Sequence, residues 1–261
     1  TLVPSPPPAA PNLLRGHGEA IWALEWISDH SVLASASGDG TIRFWPLATL
    51  TAPQSCSASA DCCDGDGLGC QGEHVVSWRD AGMAGPGQVH SLVWVASEGL
   101  LVSAWDDTVL RTWRYLGAGS NPSWSHVGQL QAADRVYAMA WLPAGSRLAT
   151  ASPDWPQPQL WDSLSAGTGA YLSEPTGHVD AILAVAADPS GATLATGSID
   201  TSIVVWDVAT NLSTARLSGH THWVTSLTWL HSETKLASGS KDGNIKLWDM
   251  RDTQTDQTSS G

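Results

Sequence analysis

Three regularities predict an all-β fold assembled from five copies of one small antiparallel sheet. His17, His178 and His220 each stand 28 residues before a tryptophan: Trp45, Trp206 and Trp248. A glycine precedes each histidine, and an aspartate (Asp39, Asp200, Asp242) follows it by 22 residues. Five segments also end alike: LASASGDGTIRFW, LVSAWDDTVLRTW, LATASPDWPQPQLW, LATGSIDTSIVVW and LASGSKDGNIKLW, with closing tryptophans 68, 48, 45 and 42 residues apart. Such self-similarity marks stacked copies of a supersecondary unit, none of which can bury its apolar surface alone.

Taken in chain order, residues 1–11 are a Pro-rich leader, extended and outside the core. In the first unit Ile21 to Trp26, Ser31 to Ser37 and Thr41 to Trp45 read as strands, the last two joined by the tight turn Gly38-Asp39-Gly40. A fourth strand is expected just ahead of each Gly-His position: Leu13-Leu14, His126 to Leu130 and Thr214 to Leu217. Alternation along the strands is imperfect, as expected of sheets buried on both faces. Residues 46–88 carry about 26 residues more than a ~42-residue unit has there. The excess is a low-complexity Cys/Gly/Ser insertion at about 48–74, between the third and fourth strands of the first unit. The third unit carries Pro153, Pro156 and Pro158 around its turn. Proline cannot donate to a sheet ladder, so this unit is expected to be irregular and among the least stable. Residues 250–261 form a polar tail, disordered in composition.

With these motifs in place, residues 12–249 resemble the WD40 β-propeller family, whose repeats run about 40–45 residues with Gly-His and Trp-Asp signatures. The resemblance implies a WD40-type β-propeller with five detectable four-stranded blades. Two closures stay open: a five-blade ring in which Asn12 to Arg15 completes the last blade, or part of a larger, for example seven-blade, propeller. It also implies a structural Asp-His-Ser/Thr-Trp network in three blades: His17, Ser35, Asp39 and Trp45; His178, Thr196, Asp200 and Trp206; His220, Ser238, Asp242 and Trp248. A Ser-His-Asp set by itself suggests acyl transfer. Three such sets at equal spacing do not, because catalysis needs one set beside one oxyanion hole. No catalytic residue is therefore expected. The second unit has Gly85 and the third Ala132 where the histidine stands.

Composition narrows the partners. A net charge of −13 argues against a sequence-independent grip on nucleic acid, which needs clustered Lys and Arg. No run of 18 apolar residues exists and the start lacks a secretory signal, so no membrane anchor is expected. The chain does not begin with Met and is read as a fragment or a processed product. Cys56, Cys62, Cys63 and Cys70 all fall in the insertion; they staple no repeat, and their spacing, even with His74, matches no usual zinc pattern. Asp64-Gly65-Asp66-Gly67 lacks the remaining oxygens of a calcium loop. Asn211-Leu212-Ser213 would accept a glycan only in a secreted protein. No metal and no cofactor is expected, and an intracellular location, cytoplasmic or nuclear, is.

In the family resembled, positions flanking the start of each innermost strand face the channel mouth and contact ligands. Here they are Ala20 and Trp22, Gln88 and His90, Arg135 and Tyr137, Ala181 and Leu183, Trp223 and Thr225, with Asp106 and Lys241 on the same face. The expected partner-binding set is Trp22, His90, Arg135, Tyr137, Leu183, Trp223, Thr225 and Arg251. Trp26, Trp94, Trp141 and Trp229 fill the core slot instead. Trp248-Asp249-Met250-Arg251 is similar to the Trp-Asp-x-Arg box of ubiquitin-ligase receptors. The function expected is a non-enzymatic scaffold for protein–protein interaction, binding peptides or domains of other proteins at the propeller face. The alternatives are a substrate receptor of a cullin–RING ubiquitin ligase, with its adaptor as a further partner, and an enzyme on a propeller scaffold.

Overall fold

The computed structural model describes residues 14–46, 74–77, 80, 87–117, 123–162, 164, 169–171, 177–230 and 234–251. These form five antiparallel sheets, each of strands consecutive in sequence. The first is β1 (Ile21–Ile27), β2 (Val32–Ser37), β3 (Thr41–Pro46) and β4 (His74–Ser77). The second is β5 (Val89–Val95), β6 (Leu100–Trp105), β7 (Val109–Tyr115) and β8 (Trp124–Gln131). The third is β9 (Ala138–Leu142), β10 (Arg147–Ala151), β11 (Gln159–Trp161) and β12 (Gly169–Tyr171). The fourth is β13 (Ile182–Ala187), β14 (Thr193–Ser198), β15 (Ile203–Asp207) and β16 (Leu212–Leu217). The last has three strands among the described residues: β17 (Val224–Leu230), β18 (Lys235–Ser240) and β19 (Ile245–Asp249).

Two sequence expectations change at the strand ends. Ser31 does not open a strand: it follows a 3-10 turn at Ser28–His30, lies in the left-handed region at φ 51°, and β2 starts at Val32. Leu14 belongs to no strand, so the expected Leu13-Leu14 strand does not form at that residue; residues 1–13 lie outside the described ones. The Cys-containing insertion likewise lies outside them, and β4 follows it directly.

The sheets pack in series through their innermost strands, β1 on β5, β5 on β9, β9 on β13 and β13 on β17. One joint recurs at each step. Ala34, Ala36, Ile42 and Phe44 on one face of the first sheet cluster with Leu92, Trp94, Leu101 and Trp113 of the second. Val102, Ala104 and Leu110 meet Met139, Trp141, Leu148 and Trp161. Ala149 and Leu160 meet Val185, Leu194 and Trp206. Ala195, Ile203 and Val205 meet Leu227, Trp229, Leu236 and Trp248. Small residues on the giving face admit bulky rings from the next sheet. At Gly197 the approach is so close that a Cβ would lie 2.6 Å from Val224 Cγ1.

Packing in series leaves two faces over. No comparable packing joins β17 back to β1. Trp26, expected in the core slot, is 47% exposed, whereas its counterpart Trp94 is 8% exposed. Among the described residues no sheet lies against it, because its own is first in the series. The interior sheets are buried on both sides, as in β6, while β1 and β19 keep one wet side.

The third sheet is the least regular. β11 spans three residues and pairs with β10 only from Thr150 to Leu148, just past the proline-bearing turn. Backbone amides of Leu160 and Trp161 should therefore exchange with solvent at least about tenfold faster than those of Val204 and Trp206, a gap of about 1.4 kcal/mol in opening free energy. Native-state hydrogen exchange measures this, and equal protection would contradict it.

Candidate functional site

Two sets of polar side chains stand out, one inside the sheets and one at the axial end of the inner strands. The inner set is repeated. His17 Nδ1 lies 2.9 Å from Asp39 Oδ2 and Nε2 lies 2.7 Å from Ser35 Oγ, and the Trp45 indole N–H donates to that same oxygen at 2.9 Å. His178, Asp200, Thr196 and Trp206 repeat this at 3.0, 2.8 and 2.9 Å. His220, Asp242, Ser238 and Trp248 do so at 2.7, 2.8 and 2.8 Å. In the arrangement that satisfies every atom, Nδ1–H donates to the carboxylate, the hydroxyl donates to Nε2, and the indole donates to the hydroxyl oxygen. The aspartates come from the turns between second and third strands and also accept backbone N–H groups from Gly18, Val179 and Thr221. This ties each turn to the segment entering the sheet. Each of the three hydroxyls accepts a tryptophan N–H, from Trp45 and Trp206, which are buried, and from Trp248, which is partly buried.

Burial alone would raise the Asp200 carboxyl. Hydrogen bonds from His178 and Ser202 outweigh it and hold the group far below the usual carboxylate range. The same balance holds for Asp242, through His220 and the Thr221 and Asn244 N–H groups, and for Asp39 through Thr41, Gly18 and His17.

The two sheets without the histidine solve the problem differently. In the second, Asp107 is gripped by the buried guanidinium of Arg111 at 2.6 and 2.9 Å, and the Ser103 hydroxyl accepts indole N–H groups from both Trp105 and Trp113 at 2.7 Å. Sequence reasoning missed this substitution. The signal was Trp105 in the place of Ser37. Gly85 itself lies outside the described residues. In the third sheet Trp161 still donates to the Thr150 hydroxyl, at 3.0 Å, but Asp154 turns outward to Arg135. A small void of about 20 Å³ remains beside Ala132, Thr150 and Ser152.

At the axial end, Trp22, Gln88, His90, Tyr137, Leu183 and Thr225 line one cavity of about 370 Å³. Every sheet supplies at least one of these residues, each near the start of its innermost strand. His90 is fixed from two sides: its Nε2 lies 2.6 Å from Asp106 Oδ1, and its ring stacks on Tyr137 with centroids 4.3 Å apart. Burial would raise Asp106, but hydrogen bonds from His90 and the Gln88 N–H outweigh it and keep it a carboxylate at neutral pH. Trp22 is 54% exposed and Leu183 is half-buried.

Five of the eight expected partner-binding residues thus meet at one cavity: Trp22, His90, Tyr137, Leu183 and Thr225. Three do not line it. Arg135 pairs with Asp154 at 3.1 Å and lies 5.8 Å above the Tyr137 ring, so it stands on the rim. Trp223 sits under Lys241, whose Nζ is 3.8 Å from the ring centroid, and is only partly exposed. Arg251 lies at the other end of its sheet, past β19, ion-paired with Asp249 at 2.6 Å. That pairing draws the Asp249 carboxyl down to about 2. Among the described residues no group of three or more His, Cys, Asp or Glu is placed to hold a metal ion, and no helix is long and apolar enough to cross a membrane. The four cysteines and the Asp64 to Gly67 stretch lie outside the described residues.

Comparison with known proteins agrees with this geometry. The model of the WD domain, G-beta repeat, matches residues 11–46, 169–207 and 211–249, the three units that hold the histidine. Human striatin-3 is 29% identical over 220 residues, which cover 80% of this chain and 24% of striatin-3. Human striatin-4 is 29% identical over 224 residues, 74% of this chain and 28% of that protein. The mouse F-box-like/WD repeat-containing protein TBL1X is 28% identical over 223 residues, 85% of this chain and 38% of TBL1X. The chain therefore spans about a quarter of the striatins' length, and somewhat more of TBL1X.

The depressed aspartates make stability pH-dependent with a definite sign. A folded-state pKa below the unfolded value means that the unfolded chain binds more protons, so stability is full above about pH 4 and is lost as pH falls toward the folded pKa. Asp200→Asn should cost about 1.5–3 kcal/mol at pH 7 and should flatten this acid loss, as read by urea denaturation at pH 7, 4 and 3. An unchanged midpoint at pH 7 would contradict the assigned role of Asp200.

Proposed function

We propose that this chain, which carries WD40 repeats, is a non-enzymatic platform for protein–protein interaction. A peptide segment or loop of another protein enters the cavity at the axial mouth. The observation that carries this reading is the convergence of Trp22, Gln88, His90, Tyr137, Leu183 and Thr225 on one cavity of about 370 Å³. That lining mixes aromatic and aliphatic surface with a few polar groups, the make-up of a recognition pocket. Aromatic side chains at such positions supply large contact area at low entropic cost.

Preorganisation is the mechanism. The Tyr137 ring is stacked against His90, and His90 is tied to Asp106, so these groups lose little freedom when a partner arrives. The sheets behind them fix the spacing of the strand starts. The absence of turnover in this reading rests on the inner polar sets: each hydroxyl that a catalytic triad would need already accepts an indole N–H.

Peptides selected from a displayed library on the wild-type chain test the site. Binding to a Trp22→Ala/Tyr137→Ala variant should weaken by at least about 30-fold, roughly 2 kcal/mol, as hot-spot truncations do. The variant should keep the wild-type circular dichroism spectrum and lose only modest stability, because Tyr137 gives up its stacking on His90 while the sheets behind it are untouched. Equal affinity for the selected peptides would place the contact surface elsewhere.

A further inference from the structure

His90 is held in one protonation pattern by its surroundings. Its Nε2 lies 2.6 Å from Asp106 Oδ1, while Asp106 Oδ2 accepts the Gln88 backbone N–H at 2.8 Å. Asp106 is a carboxylate at neutral pH and can only accept, so Nε2 must carry the ring proton. A neutral imidazole has one N–H, which leaves Nδ1 as a bare acceptor. Nδ1 has no hydrogen-bond partner among the described residues, and unlike the indole nitrogens of Trp94 and Trp124 it is not sealed from solvent. The ring lines the axial cavity and is steadied by Tyr137, stacked on it with centroids 4.3 Å apart. The charged and titratable groups that face it are Asp106 from the turn after β6 and, ahead of β9, Tyr137 and Arg135, the latter paired with Asp154. β13 and β17 bring Leu183 and Thr225 to the cavity, and neither titrates. Glu25 of β1 meets β5 at Trp94, further along the strand.

We propose that Asp106 is a positioning residue of the mouth: by holding Nε2–H it presents His90 Nδ1 to the incoming segment as an acceptor, so the mouth takes a segment that donates an N–H or O–H there and rejects a carboxylate. This inference rests on the proposed function and names the chemistry read at the same cavity. It also gives the site a pH sense. When the imidazole gains a proton, Nδ1 becomes a donor and meets the partner's donor head on. Binding is therefore lost as pH falls through the range in which histidines titrate, about pH 8 to 5. Asp106→Asn inverts the pattern without changing shape. The Gln88 backbone N–H cannot move its proton and keeps the amide oxygen, so the amide NH2 turns to Nε2 and drives the ring proton to Nδ1. His90→Phe keeps a ring to stack on Tyr137 and removes the acceptor.

A long-range 1H–15N spectrum reads the tautomer directly. At pH 8 the imidazole signal that disappears in His90→Phe should show Nδ1 unprotonated in wild type and protonated in Asp106→Asn. Binding is then followed by fluorescence anisotropy between pH 8 and 5. The probe is a terminally capped peptide selected on wild type at pH 7.5 and free of Asp, Glu and His, so that its own charge is constant. Wild-type affinity should fall at least about tenfold on acidification, the scale of one hydrogen bond replaced by two facing donors. Both variants should bind at least about tenfold more weakly than wild type at pH 8 and lose nothing further as pH falls, with the wild-type circular dichroism spectrum at each pH. Wild-type affinity in Asp106→Asn, a wild type indifferent to pH, or a pH dependence that survives in His90→Phe would each overturn the inference. If Trp22→Ala/Tyr137→Ala still weakens binding in that case, the mouth stands as the contact surface and only its chemistry was misassigned. If that variant binds like wild type, the proposed function fails and takes this inference with it.

Discussion

The structure depends on one recurring requirement: the indole N–H of the tryptophan that closes each third strand must find a hydroxyl acceptor, a demand not met in the same way by the buried indoles of Trp94 and Trp124, which have no partner among the described residues. All five sheets meet it the same way. The closing tryptophan of the third strand donates to a hydroxyl on the second strand: Trp45 to Ser35, Trp113 to Ser103, Trp161 to Thr150, Trp206 to Thr196 and Trp248 to Ser238. Leaving such a donor unpaired costs more than the bond gains in water, so the hydroxyl is held as firmly as the ring it serves. What lies beyond the hydroxyl varies. Three sheets continue it to a histidine and an aspartate. The second sheet adds another indole and lets Arg111 hold the turn aspartate. The third releases its aspartate to the rim and keeps a small void.

That variation separates architecture from function. The polar groups of the three histidine networks are paired with one another, which ties each turn to its sheet. Groups at the starts of the innermost strands have no such duty. They project toward the axis, where five sheets bring unlike residues into one cavity. Repetition builds the frame, and the departures from repetition (a tryptophan here, a histidine or tyrosine there) give the mouth its character.

Much of this was legible in the sequence because it is periodic. The spacing of His17, Asp39 and Trp45, copied at residues 178–206 and 220–248, put the networks in place before any coordinates. The strand starts followed by alignment, and so did Trp22, His90, Tyr137, Leu183 and Thr225. The misses are of another kind. Arg135 and Trp223 are off the cavity because their side chains are drawn away by Asp154 and Lys241, partners that spacing does not reveal. Trp26 is exposed because its sheet is first in the series, a property of neighbours and not of its own repeat. Arg111 takes over from a histidine by reaching from another strand, and because Arg43 and Lys246 stand in the same column of histidine-bearing units, that column alone does not reveal it.

The requirement at the centre of this account is open to one direct measurement. Thr196→Val keeps the side chain's size and removes the hydroxyl that receives the Trp206 N–H and reaches His178 Nε2 at 2.8 Å. Equilibrium urea denaturation at pH 7 should show a loss of about 2 kcal/mol, since the Trp206 N–H loses its acceptor and His178 Nε2 keeps only the Thr196 carbonyl, at 3.2 Å. A variant as stable as wild type would mean that the buried indole does not need its acceptor, and the shared logic of the five sheets would fail.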